Sequence, residues 1–252
     1  MNPPNPAPTP IRPHLSRRML AEFIGTGLLV TIVVGSGIMA QRLSPDDAGL
    51  QLLQNSLTTA LGLAVLILIL GQVSGAHLNP VVSLADWWVN RGMAHGLPTL
   101  DLLPYLVAQI VGGAAGTVLA GVMFDTAPAL STTDRASAGT LLGEVVATAG
   151  LILVIFALSR SGKGAVTAAA VGAYIGAAYW FTSSTSFANP AVTIARMFTD
   201  TFAGIAPASV GPFILAQVLG AAIGLGLVLV LYPTPARSTV GVPAPLPRAT
   251  QA

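Results

Sequence analysis

The chain has 252 residues, of which 53% are hydrophobic and 8% are charged, with a net charge of +2 and a mean hydropathy of +0.76. Soluble globular domains carry about 25% charged residues, so this composition excludes that class. The sequence has no cysteine, its three histidines are too scattered to hold a metal ion, and no basic cluster indicates nucleic-acid binding.

Proline-rich segments flank a long apolar region. Residues 1–16 and 233–252 are predicted to be extended, disordered tails. The region between them, 17–232, contains six apolar stretches that can each cross a hydrocarbon core of about 30 Å as a helix. In chain order, these stretches are 19–40, 51–73, 102–124, 138–158, 164–183 and 212–232. The sequence therefore predicts an all-α membrane protein with six transmembrane helices in a lipid bilayer.

Lysine and arginine are distributed unequally between the two sides that six spans define. Eight fall on the side of the two tails, namely Arg12, Arg17, Arg18, Arg91, Arg160, Lys163, Arg237 and Arg248. Three fall on the opposite side, namely Arg42, Arg135 and Arg196. Under the positive-inside rule, both termini are predicted to lie in the cytoplasm.

The chain contains two copies of one sequence pattern, at about 17–125 and 137–232. AEFIGTGLLV in the first span corresponds to GEVVATAGLI in the fourth, which aligns Glu22 with Glu144. SGAHLNPVVSLA corresponds to TSFANPAVTIAR, and YLVAQIVGGAAG in the third span corresponds to FILAQVLGAAIG in the sixth. Because each copy holds three spans, the second crosses the membrane in the opposite orientation. Such inverted repeats are typical of transport proteins whose solute site lies between the halves.

Each copy contains an Asn-Pro pair in a loop that is unusually apolar. Asparagine before proline is disfavoured in the helical region, whereas proline suits the first position of a helix. Asn79 and Asn189 are therefore predicted to cap short helices that begin at Pro80 and Pro190. Each apolar stretch that follows is long enough for half a membrane. Two half-helices that enter from opposite faces would meet N-terminus to N-terminus at the membrane centre.

These features resemble the aquaporin and glycerol-facilitator family, the major intrinsic proteins, over residues 17–232. The residues that carry the resemblance are the glutamates of the first and fourth spans, the Gln-x-x-Gly pattern of the third and sixth, and two boxes, Asn79-Pro80-Val81 and Asn189-Pro190-Ala191. The resemblance implies six helices plus two half-helices, in two inverted three-helix repeats, around a narrow pore, with assembly as a homotetramer. The asparagine amides would donate hydrogen bonds to the solute. The half-helix N-termini would repel cations, so small neutral solutes are the expected cargo.

The outer selectivity filter departs from the family pattern. Most members place arginine directly after the second box, where this chain has Val192. Counting without gaps from the two boxes places the other filter positions at Thr59, Ala177 and Ser186. The loss of arginine's charge and N–H donors, together with small residues in the second and fifth spans, predicts a wide and apolar filter. Val81 is predicted to be neutral for selectivity, because it faces the packing around its half-helix.

The filter resembles that of a bacterial subgroup associated with arsenic-resistance genes, in which the arginine is likewise replaced. This resemblance implies a passive channel in the inner (plasma) membrane for metalloid hydroxides, such as arsenous acid, antimonous acid and methylated arsenicals, and for polyols such as glycerol. A water-selective or ordinary glycerol channel is the alternative. No motif for a cofactor or for catalysis is found, so enzymatic activity and a cofactor are not expected.

Four further residues each have two interpretations. Glu22 and Glu144 could form the proton relay of a coupled secondary transporter, but in the family the matching glutamates support the half-helix loops, which is the interpretation we favour. His77 could gate the pore, although a loop-holding histidine is more common. Arg196 lies one helical turn beyond Val192 on nearly the same face. It could repel cations in the outer vestibule, but a snorkelling interfacial arginine is the expectation.

Overall fold

The computed structural model describes residues 12–91, 93 and 96–233, and no strand occurs in these ranges. Within these described ranges there are eight α-helices: α1 Leu15–Leu43, α2 Ala48–Ser74, α3 Pro80–Asn90, α4 Thr99–Met123, α5 Ala138–Arg160, α6 Thr167–Phe181, α7 Pro190–Ala195 and α8 Pro207–Leu231. Single 3₁₀ turns precede α6, at Gly164–Val166, and follow α7, at Arg196–Phe198. Six segments are long and apolar enough to cross a membrane, which confirms the predicted fold class.

Four of the long helices, α1, α2, α4 and α8, begin earlier than the apolar stretches that predicted them. α1 begins at Leu15 and α8 at Pro207, whereas the stretches begin at 19 and 212. Hydropathy marks only the hydrocarbon core, and a tilted helix continues into the polar interface. Pro207 takes the first-turn position that proline favours, and Pro212 lies inside the helix.

The two predicted tails fall almost entirely outside the described residues. The described part of the first tail is 12–16, in which Leu15 and Ser16 already belong to α1. The helical region therefore starts before the boundary that was predicted at 17. Of the second tail, the structure describes Pro233 alone.

The long helices pack as two equivalent pairs. α1 lies along α4 in the first repeat and α5 lies along α8 in the second, while α2 packs on both α1 and α6. Glycines allow the close approach within each pair. A Cβ atom on Gly116 of α4 would overlap the carbonyl oxygen of Gly27 in α1, and one on Gly224 of α8 would lie 2.5 Å from the carbonyl oxygen of Ala149 in α5. The sequence repeat is therefore also a structural repeat.

The outward faces of the long helices are apolar. On α2, for example, Leu57, Leu61 and Leu68 are all exposed. In water, contiguous apolar surface of this kind is unfavourable, whereas in hydrocarbon the helix satisfies its own backbone and its apolar side chains need no protein partner. The chain is a multi-pass membrane protein.

The short helices α3 and α7 are the predicted half-helices. Each has proline at its first turn, preceded by an asparagine in extended backbone. α3 has 11 residues and α7 has 6, the latter continued by the 3₁₀ turn. Both pack against α4 and α8, and they touch each other. Their N-termini therefore meet between the two repeats, deep inside the protein.

Candidate solute pathway

A cavity of about 610 Å³ runs between the two repeats. Arg12, before α1, lines one end, and Arg196, after α7, lines the other. Asn79 and Asn189, which cap the two half-helices, lie between them on the lining. The remaining wall is largely aliphatic and includes Leu29, Val33, Leu63, Ile67, Val82, Leu151, Ile155, Val171 and Ile175. Both half-helix N-termini therefore face one path through the protein.

The two asparagines hold each other's loops across the centre. Nδ2 of Asn79 donates to the carbonyl oxygen of Ala188 at 2.8 Å, and Nδ2 of Asn189 donates to that of Leu78 at 2.8 Å. Oδ1 of each asparagine accepts from backbone N–H groups in the first turn of its own half-helix. An amide NH₂ group has two hydrogens, so each asparagine keeps one N–H for a solute. The geometry supports the predicted donor role, which stays a prediction.

The loops before the asparagines share a left-handed backbone. Ala76 and Leu78 have φ angles of 47° and 50°, and Ser186 and Ala188 have φ angles of 50° and 46°. These residues occupy the same two positions relative to the asparagine in both repeats. Residues with a side chain adopt this region rarely, at about 1–3 kcal/mol each, and keep it only when surrounding contacts hold them. Each loop therefore needs a specific anchor.

The two glutamates provide that anchor. Glu22 accepts from the backbone N–H groups of His77 and Leu78 at 3.0 and 2.7 Å, and Glu144 binds the two equivalent N–H groups of the second loop at 2.8 Å each. Both side chains are 0% exposed, and neither lines the cavity. A proton relay requires carboxylates that the pathway can reach. The geometry therefore favours loop support for both glutamates.

A glutamine links each carboxylate to its half-helix. Nε2 of Gln109 donates to Glu22 at 2.8 Å and to Oγ of Ser83 in α3 at 2.9 Å. Gln217 makes the equivalent pair of bonds in the second repeat, at 2.6 and 2.8 Å. Each loop, carboxylate and half-helix therefore forms one buried hydrogen-bonded unit, repeated twice in the molecule.

His77 lines the cavity close to the first box. Its Nδ1 lies 3.0 Å from Oγ of Ser83, and its Nε2 lies 4.0 Å from a carboxylate oxygen of Asp86. The ring also meets the ring of Tyr105 edge-on, with centroids 5.6 Å apart. Because three neighbours fix the imidazole, these contacts support the loop-holding role over a swinging gate.

Three of the four predicted filter residues lie together at the outer end of the cavity. Thr59, Ser186 and Val192 are buried residues of its lining. Ala177 is exposed on the outward face of α6 and is not part of the lining, so its prediction as a filter residue is wrong. Tyr179 of α6 lines the cavity instead, and its hydroxyl donates to Oγ1 of Thr59 at 3.2 Å.

The error at this position has a geometric cause. Residues two apart on a helix point about 200° apart, so a miscount of two turns the side chain from the pathway to the lipid. The gap-free count from Asn189 assumed a loop length that the chain does not have. The small filter residue expected in the fifth span is therefore absent from this wall, which carries a tyrosine instead. Ile175 and Tyr179, spaced by four residues, mark the inward face of α6.

Arg196 is buried and does not snorkel to the interface. The side chain is 2% exposed and lines the cavity. Its Cζ lies 3.4 Å from the centroid of the Phe187 ring, and its Nε donates to the carbonyl oxygen of Ala203. The snorkelling interpretation is therefore wrong, because an aromatic ring and a backbone carbonyl turn the guanidinium inward. Phe187, which sequence reasoning missed as a support, is recognisable only from this contact.

Comparisons with known proteins agree with this architecture. The model of the family described as major intrinsic protein matches residues 11–185. Aquaglyceroporin AqpS of Rhizobium meliloti is 48% identical over 232 residues, which cover 92% of this chain and 96% of that protein. The glycerol uptake facilitator protein of Streptococcus pneumoniae is 29% identical over 163 residues, or 57% of this chain and 65% of that protein.

A solved structure shares the fold. The X-ray structure of the aquaglyceroporin from Plasmodium falciparum matches with a TM-score of 0.65 and 20% identity, covering 85% of this chain and 96% of that one. Paired half-helices that meet at buried asparagines, inside two inverted repeats, define a channel of the aquaporin type. The chain belongs to the major intrinsic protein family. It is a passive channel for small neutral solutes.

Proposed function

We propose that the channel is an aquaglyceroporin that conducts polyols such as glycerol and uncharged metalloid acids, including arsenous acid, antimonous acid and methylated arsenicals. The observation that carries the proposal is Val192, which lines the outer cavity directly after the second box. Valine supplies neither a positive charge nor N–H donors at this level, and it leaves more room than arginine. The name of the 48% identical relative, aquaglyceroporin AqpS, supports the same solute class.

The composition of the cavity wall also supports hydroxylated solutes. Most of the lining surface is apolar, whereas Asn79 and Asn189 each keep one amide N–H without a partner among the described residues. A site that binds a small molecule well combines apolar surface with a few placed polar groups. Glycerol has carbon atoms for the aliphatic surface and hydroxyl oxygens for the amide donors, and trihydroxy metalloid acids are similar in size and polarity.

A coupled transporter is the distant alternative. Coupling needs ionisable groups that each side of the membrane reaches in turn, and neither Glu22 nor Glu144 lines the cavity. Burial of both carboxylates under loop N–H groups therefore favours a passive channel. Solute flux that follows the solute gradient alone, and that does not change when proton and sodium gradients are collapsed, is the expected result.

Restoring arginine at the filter tests the proposal. In proteoliposomes, we expect the parent protein to pass water, glycerol and arsenous acid, and Val192→Arg to lose glycerol and arsenous acid permeability by roughly tenfold or more while water flux persists. The added side chain fills the space beside the solute and presents a fixed charge. Stopped-flow light scattering measures all three fluxes on the same vesicles.

Val192→Met is the matched control for this substitution. Methionine has nearly the reach of arginine but no charge, so a comparison of the two variants separates steric from electrostatic exclusion. A parent protein that passes water alone would refute the proposal and identify a water channel with an unusual filter.

We further propose a homotetramer in a bacterial inner membrane, with both termini in the cytoplasm. The excess of basic residues on the side of the tails and the bacterial source of the AqpS relative support this location.

Labelling of introduced cysteines tests the orientation. The sequence contains no cysteine, so a single introduced cysteine is the only site that a maleimide can label. In intact cells, an impermeant maleimide should label Asp46→Cys, between α1 and α2, and should not label Ser161→Cys, after α5. The reverse labelling pattern would overturn the orientation, and cross-linking in native membranes tests the tetramer.

A further inference from the structure

The guanidinium of Arg196 lies beside the cavity, and its Nη1 is buried without a hydrogen-bond partner among the described residues. Nε of the same side chain donates to Ala203. Buried polar groups in native proteins nearly always have a partner, and leaving a charged donor without one is unfavourable. Since Arg196 lines the cavity, a molecule in the pathway is an acceptor within reach of its guanidinium.

A second unpaired polar group lines the same cavity. Oγ of Ser186 is buried and also has no hydrogen-bond partner among the described residues. Ser186 directly precedes Phe187, whose ring lies 3.4 Å from Cζ of Arg196. The loop before the second box therefore supplies a hydroxyl without a partner, and its Phe187 ring holds the Arg196 guanidinium beside the same cavity.

We propose that Arg196 and Ser186 form a binding site for an uncharged, hydroxylated solute at the outer end of the pathway. The positive charge of Arg196 is the barrier to cations at this site. This inference rests on the proposed channel function. The guanidinium donates to one solute oxygen and Oγ of Ser186 bonds to a second. The guanidinium repels cations strongly because it is buried, where charges are screened less than in water.

The positive charge on this wall comes from a position other than the filter residue after the second box. Arg196 lies four residues after Val192, one helical turn further along the chain. Its guanidinium packs on the ring of Phe187, the residue that follows Ser186. The filter position is therefore apolar, and the charge is contributed by the next helical turn.

Arg135 provides an internal comparison. Its Cζ lies 5.5 Å from the centroid of the same Phe187 ring. Its Nε and Nη2 donate to the carbonyl oxygens of Gly204 and Phe202 at 2.6 and 2.8 Å, and it does not line the main cavity. Arg135 is thus an arginine that holds a loop, whereas Arg196 lines the pathway. The two arginines form a matched pair for substitution.

The experiment compares Arg196→Met, Ser186→Ala and Arg135→Met in proteoliposomes of the full-length protein. Methionine packs on Phe187 but lacks charge and donors. We expect Arg196→Met to raise sodium leak by about tenfold and to lower glycerol permeability by a similar factor, with water flux little changed. Ser186→Ala should lower glycerol permeability without raising the leak. Arg135→Met should change neither flux, even where it lowers the thermal unfolding midpoint.

Arg196→Lys separates charge from geometry. Lysine keeps the charge but not the planar guanidinium, so we expect it to keep the low sodium leak and to lose part of the glycerol permeability. Leak and glycerol flux equal to those of the parent in Arg196→Met would overturn the inference and leave Arg196 a loop-holding residue. A leak in Arg196→Lys as high as in Arg196→Met would overturn the charge barrier. A parent that passes water but no glycerol would refute the proposed function, while the sodium comparison would still test the barrier.

Discussion

Gly116→Ala should prevent folding or lower the thermal unfolding midpoint sharply, although it adds a single methyl group. The new Cβ would overlap the carbonyl oxygen of Gly27 in α1 and would lie 2.8 Å from its carbonyl carbon. Both contacts are with the backbone of a neighbouring helix, which cannot move aside without separating α1 from α4. Overpacking ordinarily costs about 1–3 kcal/mol, and a clash with rigid backbone places this substitution at the upper end of that range or beyond.

Gly226→Ala in α8 is the control for the glycine substitution. No atom lies within 4 Å of the Cβ position there, and alanine favours helix over glycine by about 1 kcal/mol. This variant should match or exceed the parent in stability. Gly224→Ala, which places a Cβ 2.5 Å from the carbonyl oxygen of Ala149, should repeat the Gly116 effect in the second repeat. Thermal denaturation in detergent measures all variants, and a stable Gly116→Ala protein would contradict the close packing of α1 on α4.

Glu144→Gln should both destabilise the protein and reduce solute flux. The carboxylate accepts from the backbone N–H groups of Phe187 and Ala188 at 2.8 Å each, and from Gln217 at 2.6 Å. An amide replaces one acceptor oxygen by an NH₂ donor, which then faces a donor in a site without solvent. Breaking such a buried network costs about 3 kcal/mol, and the loop before Asn189 loses the contacts that hold its left-handed backbone.

The symmetry of the molecule supplies the comparison for this prediction. Glu22→Gln should have the same effect on the first loop, because Glu22 binds its N–H groups in the same way. Asp46→Asn, at an exposed carboxylate in the turn between α1 and α2, should leave the unfolding midpoint and flux unchanged. A Glu144→Gln protein with the parent's midpoint and glycerol flux, but with altered proton dependence, would contradict loop support and favour the proton relay.

Most of the helical architecture could be predicted from short stretches of the sequence. Runs of about 20 apolar residues indicate membrane-spanning helices, since a helix satisfies its backbone within one segment and needs about this length to cross the hydrocarbon core. A residue before proline avoids the helical region, and proline suits the first position of a helix. Asn79 and Asn189 could therefore be predicted as N-caps from the prolines that follow them. The internal repeat aligned Glu22 with Glu144. Equivalent positions in two such repeats make equivalent contacts, so the two glutamates could be expected to have the same role.

The outer filter was decided by the tertiary structure. Which side chain of α6 faces the pathway depends on the length and path of the loop at 182–188, where the backbone turns through left-handed residues that a residue count cannot follow. Tyr179 therefore replaced Ala177 at that wall. The direction of Arg196 likewise depends on the Phe187 ring and the Ala203 carbonyl, and both come from other segments. Sequence alone determined the scaffold because its signals are local. The filter needed the fold because its side chains meet only through long-range packing.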